Sequence, residues 1–399
     1  MTRESFDILV SGGGVAGLAA AAAFGTAGFR VLCVDPAPPV TSEAAAGADL
    51  RTTAFLQPSV ALLERAGLWA RLAPEASALQ VMRIIDAGGP EPVARLIRDF
   101  DAADISDAPF GWNLPNWLLR REMVAHLATL PGVEFCPGVA TTSVLAREDA
   151  CLVRLSNQRH IRAKLLIAAD GRDSFVRNAL GIAATRTSYG QKALVFSVTH
   201  ELPHENVSTE VHRSGGPFTL VPLPPRNGLH ASSVVWMERG PEASRLAALP
   251  DTEFEAEAFI RSCGILGALK LATPRLMWPI ITQKAAELTA PHTALIAEAA
   301  HVVPPIGAQG LNMSLSDVAA LLDLAEADPE ALGSAPMLAA YERARAGDVA
   351  LRVQGIDLLN RASMLAPQPL RDLRAGALGL FYGIAPVRKA LMKAGLGLR

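Results

Sequence analysis

Phe6-Asp7-Ile8-Leu9-Val10-Ser11-Gly12-Gly13-Gly14-Val15-Ala16-Gly17 opens the chain, and an alanine-rich stretch from Leu18 to Ala27 follows it. Arg30-Val31-Leu32-Cys33-Val34 then ends on Asp35. The apolar runs predict two strands, and the alanine-rich stretch predicts a helix between them. Strand, glycine turn, helix, strand and terminal acid are the parts of a dinucleotide site, in the order such a site needs. Gly12 suits the tight turn. Gly14 leaves room for a pyrophosphate, because no β-carbon stands in the way. Gly17 lets the helix pack closely on the strand. The free N–H groups of Val15, Ala16 and Gly17, at the positive end of the helix, are placed to hold a diphosphate. Asp35 stands close to the spacing of about 20 residues expected for the acid that bonds a ribose diol. An acid there favours an unphosphorylated adenosine ribose, as in NAD or FAD. A signal peptide or membrane span does not fit, since the uncharged run is mostly Gly and Ala and no basic region precedes it.

Outward from this stretch, the chain of 399 residues is long enough for two domains. Half of it is hydrophobic and 19% is charged, so a large core is available. A formal net charge of −2 gives no footprint for nucleic acid. Cys33, Cys136, Cys151 and Cys263 form no CxxC and no pairing with histidine. They read as buried thiols in a reducing, cytoplasmic setting, with neither a disulfide frame nor a metal site. No segment is convincing as a membrane span.

The pattern from Asp49 through Ser59 and Leu63 predicts a helix ending at Gly67, with Arg51 near its start. Two strands are expected around Gly88-Gly89-Pro90, and a helix from Asn116 to Leu130 with Arg120 and Arg121 near its start. Short strands are expected at 132–135, 142–146, 151–155 and 165–169. Leu165-Leu166-Ile167-Ala168-Ala169 is apolar throughout, as a strand buried on both faces would be, and runs into Asp170-Gly171-Arg172-Asp173-Ser174-Phe175-Val176-Arg177. Alternating runs between 183 and 282 predict a mostly antiparallel sheet, with a helix at 252–263. A strand at 293–297 then leads into Glu298-Ala299-Ala300-His301 and Pro304-Pro305-Ile306-Gly307-Ala308-Gln309-Gly310-Leu311-Asn312, with a helix from Leu311. A long helix is expected at 337–362.

The glycine turn, the Asp170-Gly171 segment and the 298–312 segment, in that order, resemble the class A FAD-dependent aromatic monooxygenases, and most of all the ubiquinone-biosynthesis hydroxylases. Asp49 to Trp69, Pro222-Leu223-Pro224 with Ser233-Val234-Val235-Trp236, and Trp278-Pro279-Ile280 carry the likeness through nearly the whole chain. The resemblance implies an α/β fold with a Rossmann-like FAD-binding domain of the p-hydroxybenzoate hydroxylase type, a mostly antiparallel β-sheet substrate domain and C-terminal helices. The expected division is 1–78, 100–182 and 283–365 for FAD, 79–99 and 183–282 for substrate, and 366–399 as a helical tail. It implies FAD with NAD(P)H as co-substrate, O2 adding to the reduced flavin as a C4a-hydroperoxide, and hydroxylation of an aromatic, possibly prenylated, quinone precursor. Asp170 would serve the ribityl and pyrophosphate region. Arg51 and Arg121 would lie near the cofactor. Gly310, Leu311 and Asn312 would offer backbone N–H groups to the flavin's pyrimidine edge.

Two departures stand out. The family pattern has Gly-Asp where this chain has Ala297-Glu298, and Ala-Gly-Gln-Gly where it has Gly307-Ala308-Gln309-Gly310. Glu298 keeps the carboxylate but adds a methylene. His301 reads as a residue that orders the loop rather than one that transfers a proton. Baeyer–Villiger-type enzymes need a second Rossmann glycine motif, and flavin halogenases a Trp-x-Trp-x-Ile-Pro stretch; neither is present. The remaining alternatives are a catalytically silent flavin-fold subunit of a quinone-biosynthesis assembly and a flavin reductase of isoprenoid double bonds. A prenylated substrate would bring the enzyme to a membrane surface, and apolar 378–384 followed by Arg388, Lys389, Lys393 and Arg399 is a candidate peripheral contact.

Overall fold

The first parallel ladder forms where the opening stretch predicts it. In the computed structural model, which describes residues 4–396 except 90, 214, 366, 370, 373–375 and 377–381, β1 (Glu4–Ser11), α1 (Val15–Thr26) and β2 (Val31–Asp35) make a βαβ unit. Ile8 lies opposite Val31 and Ser11 opposite Val34. From Ile8 to Ser11 both faces of β1 are buried, and α1 is buried from Val15 to Phe24. That burial explains why the unit carries almost no polar side chains.

The sheet grows on both sides of β1. Its order is β18 (Thr289–Ala290), β19 (Thr293–Leu295), β11 (His160–Ala168), β1, β2 and β8 (Val133–Pro137). β9 (Thr141–Ala146) and β10 (Cys151–Leu155) join antiparallel beside β11. β11 begins five residues before the expected apolar run, because its first half alternates between buried and half-buried side chains and pairs with β10. β19 and β11 are parallel, as are β11 and β1.

A second sheet runs β20 (His301–Val302), β17 (Leu276–Ala285), β12 (Ala184–His200), β15 (Leu229–Arg239), β14 (Pro217–Arg226), β13 (Val207–His212), β5 (Val81–Asp86) and β6 (Leu96–Asp101), with β16 (Leu269–Leu271) on β12. Its pairs are antiparallel except β13 with β5. One face carries Leu194, Phe196, Val234 and Trp236 against Leu246 of α6 (Gly240–Ala248) and Phe254 of α7 (Asp251–Arg261). The other carries Ala193, Val195, Met237 and Ile280 against Met313 of α9 (Gln309–Ala327) and Val349 and Val353 of α10 (Ala335–Ser363). The sheet's period-two alternation thus serves two apolar layers at once.

The helix expected from Asp49 is corrected. Thr52–Leu56 is a strand, β3, and the helix α2 starts only at Gln57 and runs to Arg65. β3 pairs antiparallel with β7 (Gly111–Pro115), which also pairs β4 (Ser77–Leu79). Two β-branched residues and a phenylalanine favour the extended form once a partner strand is present. Pro58, in the first turn, sets where the helix begins. The other helices differ from expectation at their ends: α4 is Asn116–Leu127, α7 ends at Arg261, and α9 starts at Gln309.

All four cysteines are free thiols. Burial raises the Cys33 thiol and pushes Cys151 up to about 11, which leaves both unreactive. Among the described residues no helix is long and apolar enough to cross a membrane. Residues 378–381 of the apolar tail run lie outside the described residues. The C-terminal helix Ala385–Leu396 buries Met392 and Leu396 in a cluster with Ala102 and Phe110, and Arg388 pairs with Asp104 at 3.2 Å.

Candidate FAD site

The three glycines of the first turn do different work. Gly12 has φ +115°, and a β-carbon there would lie 2.3 Å from the Ala169 carbonyl oxygen. At Gly17 a β-carbon would lie 1.9 Å from the Gly12 oxygen. Both positions exclude side chains because the backbone is already in contact. At Gly14 a β-carbon would meet nothing within 4 Å. That open space fronts the first turn of α1, whose N–H groups have no partner within the helix. The Asp35 carboxylate closes the turn. One oxygen accepts the Gly13 N–H at 2.6 Å and the other the Ala37 N–H at 2.8 Å. A carboxylate has about four acceptor sites, so two remain for a ribose diol.

Arg51 follows the loop from β2. Its Nε and Nη2 both bond the Asp49 carboxylate at 2.7 Å, and its guanidinium lies 4.8 Å from the centre of the Trp278 ring. Asn116 and Arg120 complete the group, at 3.1 and 3.5 Å from Asp49. Burial would raise Asp49, but the bonds from Arg51 and Asn116 outweigh it and hold the carboxyl below its usual range. Arg121 is not part of this group. It bonds Glu122 at 2.8 Å and lies over Trp117, while the neighbouring Arg120 faces Asp49. A helix turns each residue by 100°, and only one of two adjacent arginines can face Asp49.

Asp170 follows β11 directly. Its carboxylate accepts from the Ser174 hydroxyl and from the Val176 N–H at 3.0 Å, and so caps the short helix α5 (Phe175–Ala179). Arg172 reaches across to Glu298 with Nε and Nη2, both at 3.1 Å. Buried Arg177 bonds the Ala299 and Arg172 carbonyl oxygens, each at 3.0 Å. Glu298 also adds to the electrostatic attraction on Arg51. Sequence reading missed Arg172, since its partner is 126 residues away.

The last segment is tied to α9. Ala297 has φ +55° and Ala308 has φ +56°. Both alanines therefore take the left-handed backbone that glycine adopts freely, at a cost of roughly 1–2 kcal/mol each. The Ala297 N–H points to Asp317 at 3.4 Å, and His301 Nε2 bonds the same Asp317 oxygen at 2.7 Å. His301 is buried, and its engagement with Asp317 suits an ordering role. Asn312 clamps the start of α9 to β3: its Oδ1 accepts the Leu56 N–H at 2.9 Å, and its Nδ2 donates to Ala54 at 2.8 Å and Ala308 at 2.6 Å. A β-carbon at Gly310 would meet nothing within 4 Å, so the backbone at the first turn of α9, with Leu311 beside it, borders open space.

The chain matches known proteins over the same parts. The model of a family described as FAD binding domain matches residues 5–354. Ubiquinone hydroxylase UbiL of Rhodospirillum rubrum is 32% identical over 397 residues, covering 98% of this chain and 89% of that protein. The 3-demethoxyubiquinol 3-hydroxylase of Escherichia coli is 28% identical and covered in full, as is this chain. Among solved structures, p-nitrophenol 4-monooxygenase PnpA of Pseudomonas putida superposes with a TM-score of 0.80 at 20% identity, covering 100% of both chains. These likenesses, with the open space at Gly14 and the unused acceptor sites of Asp35, define an FAD-dependent monooxygenase. The chain belongs to the FAD binding domain family.

Gly14 has φ −68°, a value open to any residue. Gly14→Val should therefore fold, purify without flavin and melt at the temperature of the parent apoprotein. Flavin content equal to the parent's would show that the diphosphate lies elsewhere.

Proposed function

We propose that this enzyme hydroxylates the aromatic ring of a phenolic ubiquinone precursor that carries a prenyl tail. The observation that carries the reading is the extent of the likeness: 98% of this chain and 89% of UbiL align, so the similarity covers the substrate sheet as well as the FAD site. When bound, FAD reduced by NAD(P)H supplies the activation of O2.

The chain's own residues bind, orient and exclude water. The α1 N-terminus would hold the diphosphate, and Asp35 would accept from the adenosine ribose. Glu298 would accept from the ribityl hydroxyls. The N-terminus of α9 would offer its positive end to negative charge on the flavin. Met313, Ile306, Val195 and Met237 make an apolar layer between that helix and the second sheet, which limits water near the reacting ring. No catalytic base is assigned.

Incubation with a short-tailed 2-prenylphenol, NAD(P)H and air tests this. The expected product is heavier by one oxygen. A gain of two hydrogens would identify an isoprenoid reductase, and no product with bound flavin would favour a silent assembly subunit.

Such a substrate resides in the bilayer, and we include peripheral membrane contact in the proposal. Lys389 and Lys393 are exposed on the C-terminal helix, without an ion pair among the described residues, and each can contribute on the order of 1 kcal/mol at an anionic surface. Lys389→Glu with Lys393→Glu should reduce co-sedimentation with anionic liposomes at low salt. Equal sedimentation of the parent and the variant would place the contact elsewhere.

A further inference from the structure

We propose that Arg172 is a positioning residue for FAD: it fixes the Glu298 carboxylate so that the longer acid can do what a shorter one does elsewhere in the family. This rests on the FAD-site reading above. Glu298 stands on the one-turn helix α8 (Ala297–Ala300), and its side chain is 44% exposed. An extra methylene adds a rotatable bond, so an untethered glutamate there would sample several positions. The Arg172 guanidinium removes that freedom. Its Nε meets one carboxylate oxygen and its Nη2 the other, both at 3.1 Å, and such a fork sets the plane of the carboxylate as well as its place. One face of each oxygen stays available to accept a hydroxyl.

The arginine is itself held. Its carbonyl oxygen accepts from Arg177 Nη2 at 3.0 Å and from Gln283 Nε2 at 2.8 Å. Arg177, 5% exposed, also bonds the carbonyl of Ala299, the residue after Glu298. The segment after Asp170 therefore grips the turn at 297–300 twice, at a side chain and at the adjoining backbone. Arg51 is engaged elsewhere: its Nε and Nη2 both bond Asp49. A partly exposed pair such as Arg172–Glu298 adds little to fold stability, which leaves placement of the carboxylate as its main effect.

The test is FAD titration of the apoprotein, followed by flavin fluorescence, for the parent, Arg172→Ala, Arg172→Lys, Glu298→Asp and the Arg172→Ala/Glu298→Asp pair. Arg172→Ala should raise the Kd about tenfold, the scale of one charge-assisted hydrogen bond, with the melting temperature of the apoprotein unchanged. Arg172→Lys, a cation without a fork, should recover only part of the loss. In the Glu298→Asp background, where the carboxylate is drawn back from the guanidinium, Arg172→Ala should have no further effect. Unchanged or tighter binding by Arg172→Ala would overturn the proposal, and so would an equal loss in both backgrounds, which would mean that Arg172 acts on FAD directly. Failure of the parent apoprotein to bind FAD would instead overturn the site reading itself.

Discussion

A single buried carboxylate holds the second half of the site together. Asp317, 1% exposed on α9, accepts from His301 Nε2 at 2.7 Å, from Arg345 Nε at 2.8 Å and from the Ala297 N–H at 3.4 Å. Three pieces of chain thus meet on it: the turn after β19, the short strand β20 and the long helix α10. A charge withdrawn from water is tolerated only when paired and hydrogen-bonded, so the arrangement allows little variation. Its consequence is positional. The turn bearing Glu298 and the first turn of α9 are both referred to one residue, and α9 is referred in turn to β3 by Asn312.

The site converges because of strand order. β19, β11 and β1 are parallel neighbours. The glycine turn leaves the carboxyl end of β1, the Asp170-Gly171 segment leaves that of β11, and the Ala297-Glu298 turn leaves that of β19. Motifs nearly 300 residues apart therefore emerge side by side at the carboxyl ends of adjacent strands, where open α/β sheets place their ligands. Contacts among the loops then follow: the backbone at Gly12 touches Ala169, and Arg172 reaches Glu298.

What could be read in the sequence was whatever local sterics dictate. Gly12, Gly14 and Gly17 lie within one turn, and each is required or permitted by backbone approach alone. The chemistry of Asp35 follows from its place at the end of β2. The Asp170 and 298–312 segments were legible through resemblance, and so were the two alanines in place of glycine, although only the structure shows that both keep positive φ. What could not be read depends on distant partners. Thr52–Leu56 looked helical because its strand partner lies some 60 residues on. Arg172 carried no signal of its own within the Asp170 segment, and which of Arg120 and Arg121 faces Asp49 could not be told without the phase of α4. Asp317 and Arg345 are ordinary helix residues until α9 and α10 pack together.

On this arrangement Asp317 organises the 297–312 half of the site independently of the glycine turn, and hydrogen exchange on the folded Asp317→Asn variant tests this. Peptides covering 296–312 should exchange faster than in the parent, while those covering 8–35 should be unchanged and FAD affinity should fall. Unchanged exchange across 296–312 with parental FAD affinity would show that Asp317 does not organise this half of the site.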